Sequence, residues 1–236
     1  MLLCPETTAA RALTYPISLP AQHEFKFPRY YVRPCYLEYY NLVIDRFKGG
    51  YDKVTVTGTA AIGKSTFLAY FFTRYCIEHP NETVIMVSFT NTGKMKDALV
   101  WTRQGVTHTA QCMSCMIEQA ETKARQEGRP SIRLYDGALR NLPARTRVLC
   151  CTRALERWDN LIASDQRHAV APWDISELLD ARAKLKLEAF PSPVSREDIT
   201  SRYDKFGGVA RVCLSQRKQY PSQVEARIIW PDSESR

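Results

Sequence analysis

Between residues 29 and 214 the chain alternates short apolar runs with longer segments whose apolar residues recur every three or four positions. After Pro34, the residues Tyr36, Leu37, Tyr40, Val43, Ile44 and Phe47 mark one face of a helix that Gly49-Gly50 closes. Lys53–Thr57 (KVTVT) is short and β-branched and predicts a strand. The next segment, STFLAYFFTRYCIEH, places Phe67, Leu68, Phe71, Phe72 and Tyr75 on a broad helical face. Thr83–Phe89 (TVIMVSF) is apolar throughout, as a strand covered on both faces of a parallel sheet must be. No pattern is visible from Asn91 to Gly105, and His108–Gln126 reads as a helix. Ser131–Tyr135 and Arg147–Cys151 predict third and fourth strands, with a helix from about Ala154 to Ala163 and a short fifth strand at His168–Ala171. Past Pro172-Trp173-Asp174 the alternation stops. Two helices follow, ISELLDARAKLKL and SREDITSRYDKF, the second closed by Gly207-Gly208.

Strands alternating with helices predict an α/β fold with an open, mostly parallel sheet. The expected divisions are an irregular arm over residues 1–28, an α/β domain over 29–171, a small helical lid over 172–214 and a polar tail over 215–236.

Composition changes this picture little. The 236 residues are 44% hydrophobic, enough for one sizeable core, and no apolar run approaches the roughly 18 residues that cross a bilayer. The opening MLLCPETTAARALTYP has no basic leader, so no secretory signal is expected. The net charge is +8, and +5 of it falls between Thr102 and Arg157, where ten Lys or Arg face five acids. Such a stretch favours anionic partners, nucleic acid among them, or is simply a solvated basic face. Eight cysteines are scattered, and only Cys112-Met-Ser-Cys115 has ligand-like spacing, with no second pair to complete a zinc site. The set reads as reduced, mostly buried thiols in a reducing compartment, cytosolic or nuclear.

Gly58-Thr-Ala-Ala-Ile-Gly63-Lys64-Ser65 satisfies G-x-x-x-x-G-K-[ST], between a predicted strand and a predicted helix. That is the pattern of a P-loop. Glycines let the backbone wrap an anion with its N–H groups, and the helix beginning near Lys64 turns its positive end to the same place. The fold class is accordingly of P-loop NTPase type. Candidate binding residues are Gly58, Ala61, Ile62, Gly63, Lys64, Ser65 and Thr66, with Lys64 reaching the β- and γ-phosphates and Ser65 reaching Mg²⁺. Asp136, at the end of Ser131–Tyr135, stands where a second magnesium ligand belongs; its alternative is an ordinary Asp-Gly turn. Lys64, Asp136 and Arg153 are the candidate catalytic residues, Arg153 following RVLCC and equally readable as a surface arginine. Arg211 is a further candidate contact from the lid. The residue after Asp136 is Gly137, and the next acid is Glu156, so no base for water is assigned.

The motifs together resemble the P-loop domain shared by the Crinkler effectors of oomycetes and chytrids and the retrotransposon hot spot proteins of trypanosomes. The matching segments are VRPCY at Val32–Tyr36, GTAAIGKSTFLAYFF at Gly58–Phe72, APWDISELLDAR at Ala171–Arg182 and FGGVAR at Phe206–Arg211. The chain departs from the family at Ala60-Ala61, where Pro-Gly is usual, and at Ala210, where proline is usual. The resemblance implies ATP with Mg²⁺ as ligand, GTP being left open. It also implies a signalling-type NTPase acting as a switch, in a secreted effector that works inside a host cell, in its nucleus. Neither a translocation motif nor a nuclease-like or kinase-like module is found in the chain. Three functions are therefore weighed: a nucleotide-dependent switch or weak ATPase; a protein associated with nucleic acid, chromatin or a host nuclear protein; and a degenerate fragment.

Overall fold

The computed structural model describes residues 11–15, 19–20, 28–90, 92–108, 112–137, 146–152, 166–189, 192–217 and 221–222. Its strands are β1 (Arg11–Thr14), β2 (Arg29–Val32), β3 (Lys53–Thr57), β4 (Thr83–Phe89), β5 (Met95–Thr102), β6 (Gly105–His108), β7 (Ser131–Asp136), β8 (Arg147–Cys151) and β9 (Gln166–Ala169). Its helices are α1 (Tyr36–Lys48), α2 (Lys64–Glu78), α3 (Met113–Gln126), α4 (Ile175–Leu185), α5 (Arg196–Phe206) and the single turn α6 (Ala210–Cys213). The contacts divide the chain into two compact units. One is Met1–Gly58 with Lys64–Val170, and the other is Thr59–Gly63 with Ala171–Arg236.

The first unit holds a seven-stranded sheet in the order β6-β5-β4-β7-β8-β3-β9. Its five strands from β4 to β9 are parallel, and β5 and β6 extend one edge antiparallel. The fold is thus the mostly parallel α/β type that the pattern predicts. Side chains alternate between the two faces. Ile85, Val87, Tyr135, Val148 and Cys150 pack under α3 through Ile117, Met113, Met116 and Ala120.

Helix α2 is buried at ten of its fifteen positions. An aromatic chain joins it to α1: Tyr36 to Phe67 at 5.5 Å, Tyr40 to Phe71 at 5.0 Å and Phe71 to Tyr75 at 5.3 Å between centroids. Rings at these spacings add attraction beyond their burial. The polar tips are also bonded. Tyr40 donates to Glu78 at 2.5 Å, and Tyr75 donates to Glu82 at 2.6 Å.

Several elements differ from expectation. The stretch read as patternless holds β5 and the first residue of β6. In β5 the run Ala98-Leu99-Val100 is buried on both faces, while its ends are partly exposed, so no period of two shows. All four residues of β6 are exposed, as befits an edge strand. The helix read from His108 begins at Met113, because His108 pairs with Leu99 and shares a hydrogen bond of 2.7 Å with Asp97. The fifth strand spans Gln166–Ala169, two residues earlier than read. Arg11–Thr14, in the arm read as irregular, pairs antiparallel with Arg29–Val32 in a separate two-stranded sheet. Cys112 and Cys115 are joined by a disulfide, which corrects the reading of these two as reduced thiols: Cys112 takes the left-handed N-cap position, bringing the two α-carbons within 5.4 Å. Cys76, Cys150, Cys151 and Cys213 are buried thiols outside any disulfide. The helix expected at residues 154–163 lies outside the described residues. No described helix is long and apolar enough to cross a membrane.

The second unit holds α4, α5 and α6. Capping boxes open the first two: Asp174 accepts from the Glu177 N–H at 2.8 Å, and Ser195 accepts from the Asp198 N–H at 2.9 Å. Arg202 ties α5 to the segment after α6 by donating to the carbonyls of Cys213 and Ser215.

The buried tyrosines predict an alkaline limit. Burial, above all, pushes Tyr30 up to about 12, and it raises Tyr15, Tyr40 and Tyr75 further. Above the unfolded tyrosine value of about 10, the unfolded chain releases protons that the folded chain keeps, so stability falls as pH rises. Tyr30 alone accounts for about 2–3 kcal/mol between pH 10 and 12. Urea unfolding across this window should show a falling midpoint, and Tyr30→Phe should flatten the fall.

Candidate phosphate-binding site

The loop Gly58–Gly63 leaves β3 and enters α2 at Lys64. Three of its residues have positive φ: Gly58 at 138°, Ala61 at 64° and Gly63 at 100°. Glycine reaches such angles freely, whereas Ala61 holds the left-handed region at a cost of about 1 kcal/mol. The loop therefore holds one strained residue that is not glycine. Thr59 and Ala60 are exposed, while Ile62 is fully buried and anchors the apex.

Lys64 is only 8% exposed, and its Nζ donates to the Gly58 carbonyl at 2.9 Å. An ammonium has three donors, so one such group can serve several oxygens at once. The first N–H groups of α2 have no partner within their own helix, and its dipole favours an anion there. Thr66 is half-buried in the same first turn.

Ser65 and Asp136 are 71 residues apart in sequence, and Ser65 Oγ donates to Asp136 Oδ1 at 2.9 Å. The register explains the meeting. Asp136 is the last residue of β7, aligned with Ser88 of β4 on one side and Cys151 of β8 on the other, and Cys151 aligns with Val56 of β3. All stand at the carboxyl ends of parallel strands, where ligands bind in open α/β sheets. Cys151 is held well above its ordinary value, first by burial and then by the Asp136 carboxylate, with Lys64 pulling the other way. The thiol therefore stays neutral beside the carboxylate. Ser88 is 4% exposed, and its Oγ makes no hydrogen bond among the described residues.

These residues fit magnesium, which prefers one or two carboxylates together with water and phosphate oxygens to an all-protein cage. Ser65 and Asp136 supply two oxygens already in contact, and the buried Ser88 hydroxyl lies one strand over from Asp136. Among the described residues no group of three His, Cys, Asp or Glu could hold a metal by itself.

The residue after Asp136 is confined by its surroundings. Gly137 has φ 107°, and a Cβ there would lie 3.2 Å from the Phe89 carbonyl oxygen. Its N–H donates to Cys151 O at 2.9 Å, which fixes that backbone. Arg153 and Glu156 lie outside the described residues. Thr152, which sequence reasoning passed over, is buried at the end of β8, with its N–H bonded to Val56 O at 3.1 Å. A lone polar residue directly after RVLCC was the available signal. Arg211 sits half-buried in α6 of the second unit.

Among the described residues, four of the ten basic side chains of Thr102–Arg157 meet glutamates. Arg133 binds Glu121 through both ends of its guanidinium at 2.5 and 2.6 Å, Arg147 binds Glu82 at 2.5 Å, and Arg129 and Lys123 both meet Glu127.

No family model and no curated protein matches the sequence. Among solved structures, the chain is similar to the ORC2 protein of Aeropyrum pernix, solved as ADPNP–ADP complexes, at 14% identity and TM-score 0.47. The match covers 90% of this chain and 66% of that one, a little under two thirds. Domain III of the Thermotoga maritima replication initiation protein DnaA matches at 13% identity and TM-score 0.44, over 85% of this chain and 89% of that one. A Walker-type ATPase of Pyrococcus abyssi matches at 13% identity and TM-score 0.44, over 90% and 74%. Likeness at these values carries no functional statement, which rests instead on the residues of the loop.

Gly137→Ala should cost roughly 1–3 kcal/mol of stability, read as a lowered urea midpoint, because an alanine there is both left-handed and crowded. An unchanged midpoint would show that the β7 end can relax.

Proposed function

We propose that this chain binds a magnesium–nucleoside triphosphate, ATP in preference to GTP, and acts as a switch domain with slow hydrolysis or none. The observation that carries this reading is the 2.9 Å bond between Ser65 and Asp136, beside a buried Lys64 turned onto its own loop. The loop amides and Lys64 hold phosphate oxygens, while Ser65 and Asp136 hold the metal. Magnesium, when bound, neutralises charge on the phosphates. Slow turnover is supported by Gly137, which sets no carboxylate beside Asp136 to orient water. ATP over GTP rests on the resemblance alone.

The same proposal takes the chain as the P-loop domain of a Crinkler-like secreted effector acting in a host cell and its nucleus. Its support is the ordered set of four motifs, whose key residues are structurally constrained. Arg33 of VRPCY is buried, Trp173 of APWD is buried, and Gly208 of FGGVAR has no room for a side chain. A competing nucleic-acid reading has fewer open cations to draw on, since Arg129, Arg133, Arg147 and Lys123 of the ten in that stretch meet glutamates.

Millimolar Mg·ATP should raise the melting temperature by about 5 °C or more, since ligand at a hundred times its Kd adds about 2.7 kcal/mol. Lys64→Ala should abolish the shift. Asp136→Asn should leave ATP binding in place but remove the added effect of Mg²⁺. No shift with the unsubstituted chain would sink the proposal and favour a degenerate fragment.

A further inference from the structure

Thr59–Gly63 and Ala171–Arg236 belong to the same compact unit, and a tryptophan of the second segment bonds to the first. Trp173 is 5% exposed, and its indole Nε1–H donates to the Ile62 carbonyl at 2.8 Å, across 111 residues of sequence. Ile62 itself is fully buried. Trp173 is seated in turn by the FGG turn. Its backbone N–H donates to the Gly208 carbonyl at 3.1 Å, and a Cβ on Gly208 would overlap the Trp173 carbonyl oxygen.

A peptide unit is planar and trans, so its carbonyl and its N–H point in opposite directions. No described peptide bond is cis. An indole gripping the Ile62 carbonyl therefore fixes where the Gly63 N–H points, which is away from the indole. The same bond polarises the amide and makes that N–H a stronger donor. It also keeps a carbonyl oxygen from turning toward an anion held by the loop.

We propose that Trp173 is a positioning residue for phosphate binding, acting through the Ile62–Gly63 peptide to aim the Gly63 N–H at the anion. This rests on the phosphate-binding reading of the loop. It links the segments Ala171–Asp174 and Phe206–Gly208 in one chain of contacts. Gly208 seats Trp173, Trp173 holds the Ile62 carbonyl, and the carbonyl sets the amide. A ring without a donor would fill the space and leave the amide unheld.

The test uses the full chain with Trp173→Phe, and two chains carrying analogues at 173. 3-Benzothienylalanine replaces the ring N–H by sulfur at nearly constant shape, and 5-fluorotryptophan keeps the N–H. Calorimetric titration with Mg·ATP and with magnesium pyrophosphate is compared with the ligand-free melting temperature. The expected result is about tenfold weaker binding of both ligands for the phenylalanine and benzothienyl chains. The ligand-free melting temperature of the benzothienyl chain should change little, and 5-fluorotryptophan should bind as the unsubstituted chain does. Should Trp173→Phe fail to fold, the benzothienyl chain decides. Unchanged affinity in that chain overturns the inference, as does a loss that appears only with phenylalanine, which would assign the effect to ring packing. If the unsubstituted chain binds neither ligand, the phosphate-binding reading itself falls, and this inference falls with it.

Discussion

Helix α2 is buried at ten of fifteen positions, and that burial dictates where its first turn must stand. A helix covered by Tyr36, Tyr40 and its own phenylalanines cannot slide or roll without opening voids among tightly packed rings. Its amino end is therefore delivered to one place, the carboxyl edge of the sheet. Lys64 and Ser65 are the first two residues of that helix, so their positions are inherited from the packing of Phe67, Phe71 and Tyr75 further along.

The strand order completes the arrangement. β8 lies between β3, which feeds the loop, and β7, which ends in Asp136. Parallel register sets Ser88, Asp136, Cys151 and Val56 in one row across the sheet. The row mixes a carboxylate, a buried hydroxyl and a thiol that burial keeps neutral. Gly137, directly after that carboxylate, holds a left-handed backbone with a Cβ position crowded by Phe89.

The loop is shaped by two different constraints. Gly58 and Gly63 supply angles that side chains resist, while Ala61 adopts such an angle against its preference. Something must over-determine that strained segment, and the buried Ile62 with its bond from Trp173 does so. Strained backbone persists where surrounding structure leaves no alternative.

Read alone, the sequence determined what depends on neighbouring residues. The glycine–lysine–serine loop, the buried strands at Lys53–Thr57, Thr83–Phe89, Ser131–Tyr135 and Arg147–Cys151, and the two capped helices were legible because side-chain period and backbone preference are local. β5 and β6 were not legible: one carries a run buried on both faces and the other is exposed throughout, and their partners alone make them strands. The disulfide was hidden because it depends on a left-handed Cys112, which no local spacing announces. Only tertiary structure decided that Ser65 meets Asp136 and that Trp173 holds Ile62. Those contacts span 71 and 111 residues, and they exist because sheet register and helix packing bring distant backbone to the same point.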